Sequence, residues 1–147
     1  MIHLKEINQQ NYQECMQLSV FESQRSYVAT NVQSLAQAYI ERKSVEPYAI
    51  YYNDIMVGFI MIIPDDKHDK TMYVWRLMID QRFQGNGYGK AAMRMIIDMV
   101  KSRQTYNSLE LSVEPDNHNA IIFYESLRFV MTGEIDDGES VMRLSLK

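Results

Sequence analysis

The stretch Gln84-Gly85-Asn86-Gly87-Tyr88-Gly89-Lys90 joins a strand-like run, Tyr73 to Ile79, to a helix-like run that reaches about Arg103. Three glycines at alternate positions leave the main chain uncovered. Glycine takes positive φ without a steric penalty and lets another molecule approach the backbone. The first turn of the helix that follows carries N–H groups with no intrahelical partner. A turn of this kind is an anion site, and the anion it suits is a phosphate. The segment therefore reads as a cradle for a pyrophosphate.

Downstream of the cradle, Tyr88, Ala91, Ala92, Met95, Ile96, Met99 and Val100 keep helical spacing, which predicts an amphipathic helix packed on a sheet. Leu109 to Val113 alternates like a strand, and Asn117 to Leu127 returns to helical spacing through Ala120, Phe123, Tyr124 and Leu127. Phe129 to Met131 and Val141 to Leu146 read as closing strands around the turn signal Asp136-Asp137-Gly138. Upstream, Tyr48 to Tyr52 and Ile55 to Ile63 flank Asn53-Asp54, an antiparallel hairpin. Polar Pro64 to Lys70 is a loop. Ile2 and Leu4 mark a short first strand and Gln10 to Leu18 a helix. Asn31 is placed to cap a second helix whose apolar face is Val32, Leu35, Ala36, Tyr39 and Ile40, with Pro47 beyond its end. This order predicts an α+β fold of three layers (α/β/α), a mixed and mostly antiparallel sheet flanked by helices. The cradle falls at the carboxyl end of a central strand, where open sheets bind ligands.

A chain of 147 residues with 46% hydrophobic content is one domain's worth, residues 1–147, with material for one buried core. The formal charge of -4 and the lack of a Lys/Arg run argue against a nucleic-acid partner and favour a cationic or neutral substrate. Cys15 is the only cysteine, which excludes an intrachain disulfide and a multi-cysteine metal site and fits a reducing compartment. No apolar leader block and no run of ~18 apolar residues are present, so a cytoplasmic protein without a membrane partner is expected.

Two phosphate-binding motifs fail on spacing. A P-loop needs four residues between its outer glycines and then Lys followed by Ser or Thr, whereas three residues separate Gly85 from Gly89 and Ala91 follows Lys90. A dinucleotide fingerprint needs Gly-x-Gly-x-x-Gly early in the chain. The stretch instead resembles the acetyl-CoA signature of the GNAT superfamily of N-acetyltransferases, Gln/Arg-x-x-Gly-x-Gly/Ala, with Gln84, Gly87 and Gly89 at its fixed positions. Asn117 to Phe129 resembles a second block of that superfamily, Asn-x-x-Ala-x-x-x-Tyr-x-x-x-Gly-Phe, with Arg128 where Gly is usual. The predicted element order matches over essentially the whole chain.

The resemblance implies a GNAT-like fold that takes acetyl-CoA as co-substrate. It implies that amides of Gly85, Asn86, Gly87, Tyr88, Gly89 and Lys90, introduced by Gln84, hold the pyrophosphate. The main chain of Leu77, Met78 and Ile79 would pair with the pantetheine arm, and Asn117 and Asn119 would contact the cofactor, although Asn at a helix start is also an ordinary cap. Tyr124 matches the general acid that protonates the departing thiolate. No metal is implied; a homodimer is.

An aliphatic ammonium with a pKa near ~10.4 is free base in only about one part in a few thousand at neutral pH, so deprotonation must be assisted. Trp75 and Arg76 stand where some relatives carry acids, which leaves Glu22, Glu41 and Asp80 as candidate bases, while His118 reads as a helix-start residue. Phe21, Glu22, Tyr27 and Tyr39 are placed to wall a cationic acceptor. Ser26-Tyr27-Val28, Val57-Gly58-Phe59, Trp75-Arg76, Ile79 to Gly85 and Gly133 to Glu139 are similar to bacterial spermidine/spermine acetyltransferases, which makes polyamines the favoured amines. A protein N-terminus or an aminoglycoside is the alternative acceptor, and a non-catalytic acetyl-CoA sensor the alternative class.

Overall fold

The computed structural model describes residues 1–147, and its elements follow the order the periodicities predict. They are β1 (Ile2–Glu6), α1 (Tyr12–Gln17), α2 (Asn31–Ile40), β2 (Glu46–Tyr52), β3 (Ile55–Pro64), β4 (Thr71–Ile79), α3 (Tyr88–Ser102), β5 (Ser108–Val113), α4 (His118–Ser126), β6 (Val130–Asp136) and β7 (Glu139–Ser145). Short 3-10 turns occupy Glu22–Gln24 and Gln81–Phe83. The strands form one sheet in the order β1-β2-β3-β4-β5-β7-β6, antiparallel at every junction except β4 to β5.

Apolar side chains leave both faces of this sheet, which is why β3 reads as an unbroken apolar run. On one face Ile60, Ile62, Met72 and Leu109 pack under Ala92, Met93, Ile96 and Val100 of α3, with Phe123 and Tyr124 of α4 against them. On the other, Ala49, Phe59 and Met61 pack under Cys15 of α1 and Ala38 of α2. β3 and β4 run unusually close at Gly58, where an added Cβ would lie 2.4 Å from the Met78 carbonyl oxygen.

Two details of the predicted helices are corrected. Thr30 caps α2, its hydroxyl accepting from the Gln33 N–H at 3.1 Å, while Asn31 is the first helical residue and donates from Nδ2 to the Cys15 carbonyl at 2.8 Å. The buried face of α2 is Asn31, Ser34 and Ala38, and Val32, Tyr39 and Ile40 face solvent. Small side chains let this helix lie close to its neighbours, so volume rather than hydropathy sets the face. In α3, Met93 is buried and Met95 exposed, a quarter-turn shift of the predicted stripe.

The feature that creates a site is the failure of β4 and β5 to stay together. They pair only through Thr71–Ser108, Met72–Leu109 and Tyr73–Glu110. The ladder between β3 and β4 slips between Ile62–Val74 and Met61–Arg76, leaving Trp75 as a bulge. A bulge bends its strand and strengthens local twist. From Val74 onward the β5-facing edge of β4 has no strand partner.

Candidate active site

The parted strands enclose a cleft of about 1170 Å³. One wall is β4 from Tyr73 to Ile79 with the glycine turn after it. The other is the end of β5, the start of β7 and α4, and the segment Ser23 to Ala29 borders the opening.

The glycine turn has the predicted character. Gly85 and Gly87 sit at φ +83° and +81°, a region that residues with a Cβ enter only under strain, and a Cβ at either would meet no protein atom within 4 Å. No protein acceptor receives the successive main-chain N–H groups of residues 85 to 90; the first bond of the new helix runs from the Ala91 N–H to the Gly87 carbonyl at 3.1 Å. These donors beside an unpaired strand edge fit a diphosphate joined to an amide-bearing arm.

The other predicted cofactor residues take varied places. Leu77, Met78, Ile79, Gly85, Gly87, Tyr88, Gly89, Lys90, Asn117 and Asn119 all border the cleft. Asn86 does not; its Nδ2 donates to the Phe83 carbonyl at 2.9 Å and braces the turn. Gln84 donates from Nε2 to the Ile79 carbonyl at 3.0 Å and to Gln24 Oε1 at 2.8 Å, and accepts from Gln24 Nε2 at 3.1 Å. It thereby ties the turn to the strand edge and to the segment over the opening. The Tyr88 ring turns away and stacks on Tyr52, with centroids 4.8 Å apart. Asn117 caps α4, accepting from the Ala120 N–H at 3.3 Å.

Tyr124 is half-buried in the cleft, edge-on to Phe123 and Phe129, and its hydroxyl has no hydrogen-bond partner in the protein. Burial, reinforced by nearby Tyr73, pushes its phenol far above the ordinary range, so it keeps its proton and can donate to negative charge forming beside it. Tyr73 itself donates to Ser112 Oγ at 2.8 Å where the strands part.

The acids are distributed differently from the expectation. Asp80 is buried and accepts from the Ser19 N–H at 2.9 Å and from the Arg82 N–H and Nε at 2.9 and 2.8 Å. Burial opposes its charge, but these bonds outweigh it and hold the carboxyl below the usual range, making Asp80 a brace rather than a base. Exposed Glu22 and Glu41 do not border the cleft, nor do His118, Phe21 and Tyr39; of the proposed acceptor wall only Tyr27 does. The acids that do line it are Glu114 and Glu139. The sequence hides them because β5 and β7 meet only in the folded sheet, Val113 opposite Ser140. Half-buried Arg76 lies near Glu139, donating from its two terminal nitrogens to the Trp75 carbonyl at 2.9 Å and Gln37 Oε1 at 2.8 Å, with its buried Nε unpartnered.

Comparison with known proteins agrees with this geometry. A profile of the acetyltransferase (GNAT) family matches residues 6–129. The chain is 32% identical over 147 residues to the spermine/spermidine N(1)-acetyltransferase of Bacillus subtilis (strain 168), covering 96% of each. Among solved structures it is similar to spermidine N-acetyltransferase from Vibrio cholerae in complex with CoA and spermine, with a TM-score of 0.78, 15% identity and coverage of 99% and 95%. An aminoglycoside acetyltransferase in complex with coenzyme A gives a TM-score of 0.82 at 14% identity and the same coverage. At such identities the structural likenesses speak to the fold alone.

Proposed function

The chain belongs to the acetyltransferase (GNAT) family, whose acyl donor is acetyl-CoA, and from that premise we propose that it acetylates a primary amine of spermidine, spermine or a related polyamine in the cytoplasm. The observation that carries the reading is the run of acceptorless N–H groups from Gly85 to Lys90 at the end of an unpaired strand edge. The relative named for spermine and spermidine supports the acceptor, as does the presence of carboxylates on the wall opposite β4.

Bound acetyl-CoA supplies an activated acetyl thioester. Main-chain donors of Gly85, Gly87, Tyr88, Gly89 and Lys90 hold the diphosphate, and the free edge of β4 at Leu77, Met78 and Ile79 aligns the pantetheine arm as an added strand would. Asn117 and Asn119 border the same channel from α4. Tyr124 donates its proton to the sulfur as the carbon–sulfur bond breaks, and is restored by the proton the nitrogen sheds on becoming an amide.

The test is release of free CoA with spermidine, spermine, a peptide and an aminoglycoside, each with the wild type and Tyr124→Phe. Polyamine-dependent release that falls about 10²-fold or more in Tyr124→Phe, with acetyl-CoA affinity kept, is expected. Release with peptide or aminoglycoside alone overturns the acceptor, and tight acetyl-CoA binding without release for any amine identifies a sensor.

A further inference from the structure

We propose that Glu139, assisted by Glu114, binds the ammonium of the acceptor in the cleft and accepts its proton. The inference deepens the acetyltransferase reading and rests on it.

Of the residues bordering the cleft, Glu114 and Glu139 are the only acids. Their juxtaposition is built by strand register: β5 and β7 pair with Val113 opposite Ser140, and one step further puts Glu114 opposite Glu139. Just past the end of that ladder the Glu114 charge acts on Glu139, and two like charges placed together carry a local penalty that a bound cation would relieve. The other charged or titratable groups acting on Glu139 are Arg76 and Tyr73 of β4, Asp136 at the end of β6 and Asp137 of the turn that follows it. Arg76 is committed to Trp75 and Gln37, and Asp136 is engaged by Lys67 at 2.9 Å. Arg25 and Lys90 also border the cleft but make no ion pair with either carboxylate, and Arg76 is the one cation acting on Glu139, which leaves the two carboxylates able to take an added ammonium.

The same surroundings suit proton transfer. Burial first, and then the Glu114 charge, raise the Glu139 carboxyl above its ordinary range, with Arg76 opposing. A base is most effective when its pKa approaches the working pH. In the step itself an N–H bond of the ammonium breaks and an O–H bond forms on Glu139. The carboxylate becomes neutral and the amine keeps its lone pair for attack. Glu139 returns the proton to solvent after the product leaves.

The experiment compares the wild type, Glu139→Gln, Glu114→Gln and the exposed control Asp98→Asn. It reads kcat and KM for spermidine against pH, spermidine and acetyl-CoA binding by calorimetry, and melting temperature. Glu139→Gln is expected to lower kcat/KM by about 10²-fold or more and to abolish the acidic limb of its pH profile. Acetyl-CoA binding should be unchanged and melting at neutral pH no lower, because a repelled, desolvated charge has gone. Glu114→Gln should raise KM and move the limb to lower pH. A Glu139→Gln enzyme that keeps the limb and stays within about threefold of wild-type kcat/KM overturns the proposal, as does one that loses acetyl-CoA binding. If the wild type acetylates no amine, the function reading fails separately. Binding then decides the site: spermidine uptake lost in Glu139→Gln upholds it, and uptake unaffected overturns it.

Discussion

Arg128 occupies the position where the family motif has glycine, and it adopts φ +78° as that glycine would. The Phe129 N–H returns to the Tyr124 carbonyl at 3.1 Å and the Arg128 N–H to the Glu125 carbonyl at 3.0 Å, the paired bonds of a left-handed helix stop. The motif thus specifies a backbone shape that anchors Tyr124 from below, and arginine adopts that shape at a penalty of about 1–2 kcal/mol. The Arg128 side chain is exposed, so little else is lost with it. Arg128→Gly is expected to stabilise by about 1 kcal/mol or somewhat less, the extra freedom of glycine in the unfolded chain offsetting part of the gain. That corresponds to a rise of about 2–4 °C in melting temperature by calorimetry. A fall would show that the stop is not strained.

The helices and strands were readable because each carries its own period, and the cradle because glycine at φ above zero leaves a mark in the sequence. Tertiary contacts left no such mark. Ser34 and Ala38 face inward on α2 where Val32 and Tyr39 were expected, because close approach selects small volume. Glu114 and Glu139 became neighbours only through the β5–β7 register. His68 is a third case. It follows β3 in a polar loop, yet its Nδ1 lies 3.0 Å from Asp65 Oδ2 and 3.2 Å from Glu110 Oε2, and its Nε2 lies 3.3 Å from Glu134 Oε1. Three carboxylates from the loop, β5 and β6 converge on one imidazole. The Asp65 hydrogen bond above all raises its pKa; desolvation opposes it, and the charges of Glu110 and Glu134 add to the rise. A raised imidazole contributes stability that is fully present below the ordinary value of about 6.5 and is lost as pH rises through the higher folded value. Melting temperatures of wild type and His68→Gln should therefore differ most in mild acid and converge at alkaline pH. A difference that grows with pH would contradict this ionic role.

The link between the two halves of the sheet is narrow, since only three residue pairs join β4 to β5 before the strands part. Continuity below that point comes from packing: Met72, Leu109 and Met142 belong to one buried cluster with Ile96 and Val100 of α3. Above it, the cleft separates β4 from β5, β7 and α4, and the Gln24–Gln84 amide pair ties only the opening to the turn. A ligand seated there supplies the contacts that a continued β4–β5 ladder would have made. Anything that binds the folded state alone stabilises it by mass action, about 2.7 kcal/mol at a hundredfold excess over Kd. Acetyl-CoA at that excess should raise the melting temperature by several degrees, and protection from hydrogen exchange should increase at the β4 amides from Leu77 to Ile79 and from Gly85 to Lys90. Gly87→Ala, which forces a Cβ onto a residue at φ +81°, should lower the unliganded melting temperature modestly and shrink the acetyl-CoA increment at the same ligand concentration. Protection confined to the glycine turn would mean that the free edge of β4 does not hold the acyl arm. An undiminished increment in Gly87→Ala would place the diphosphate elsewhere.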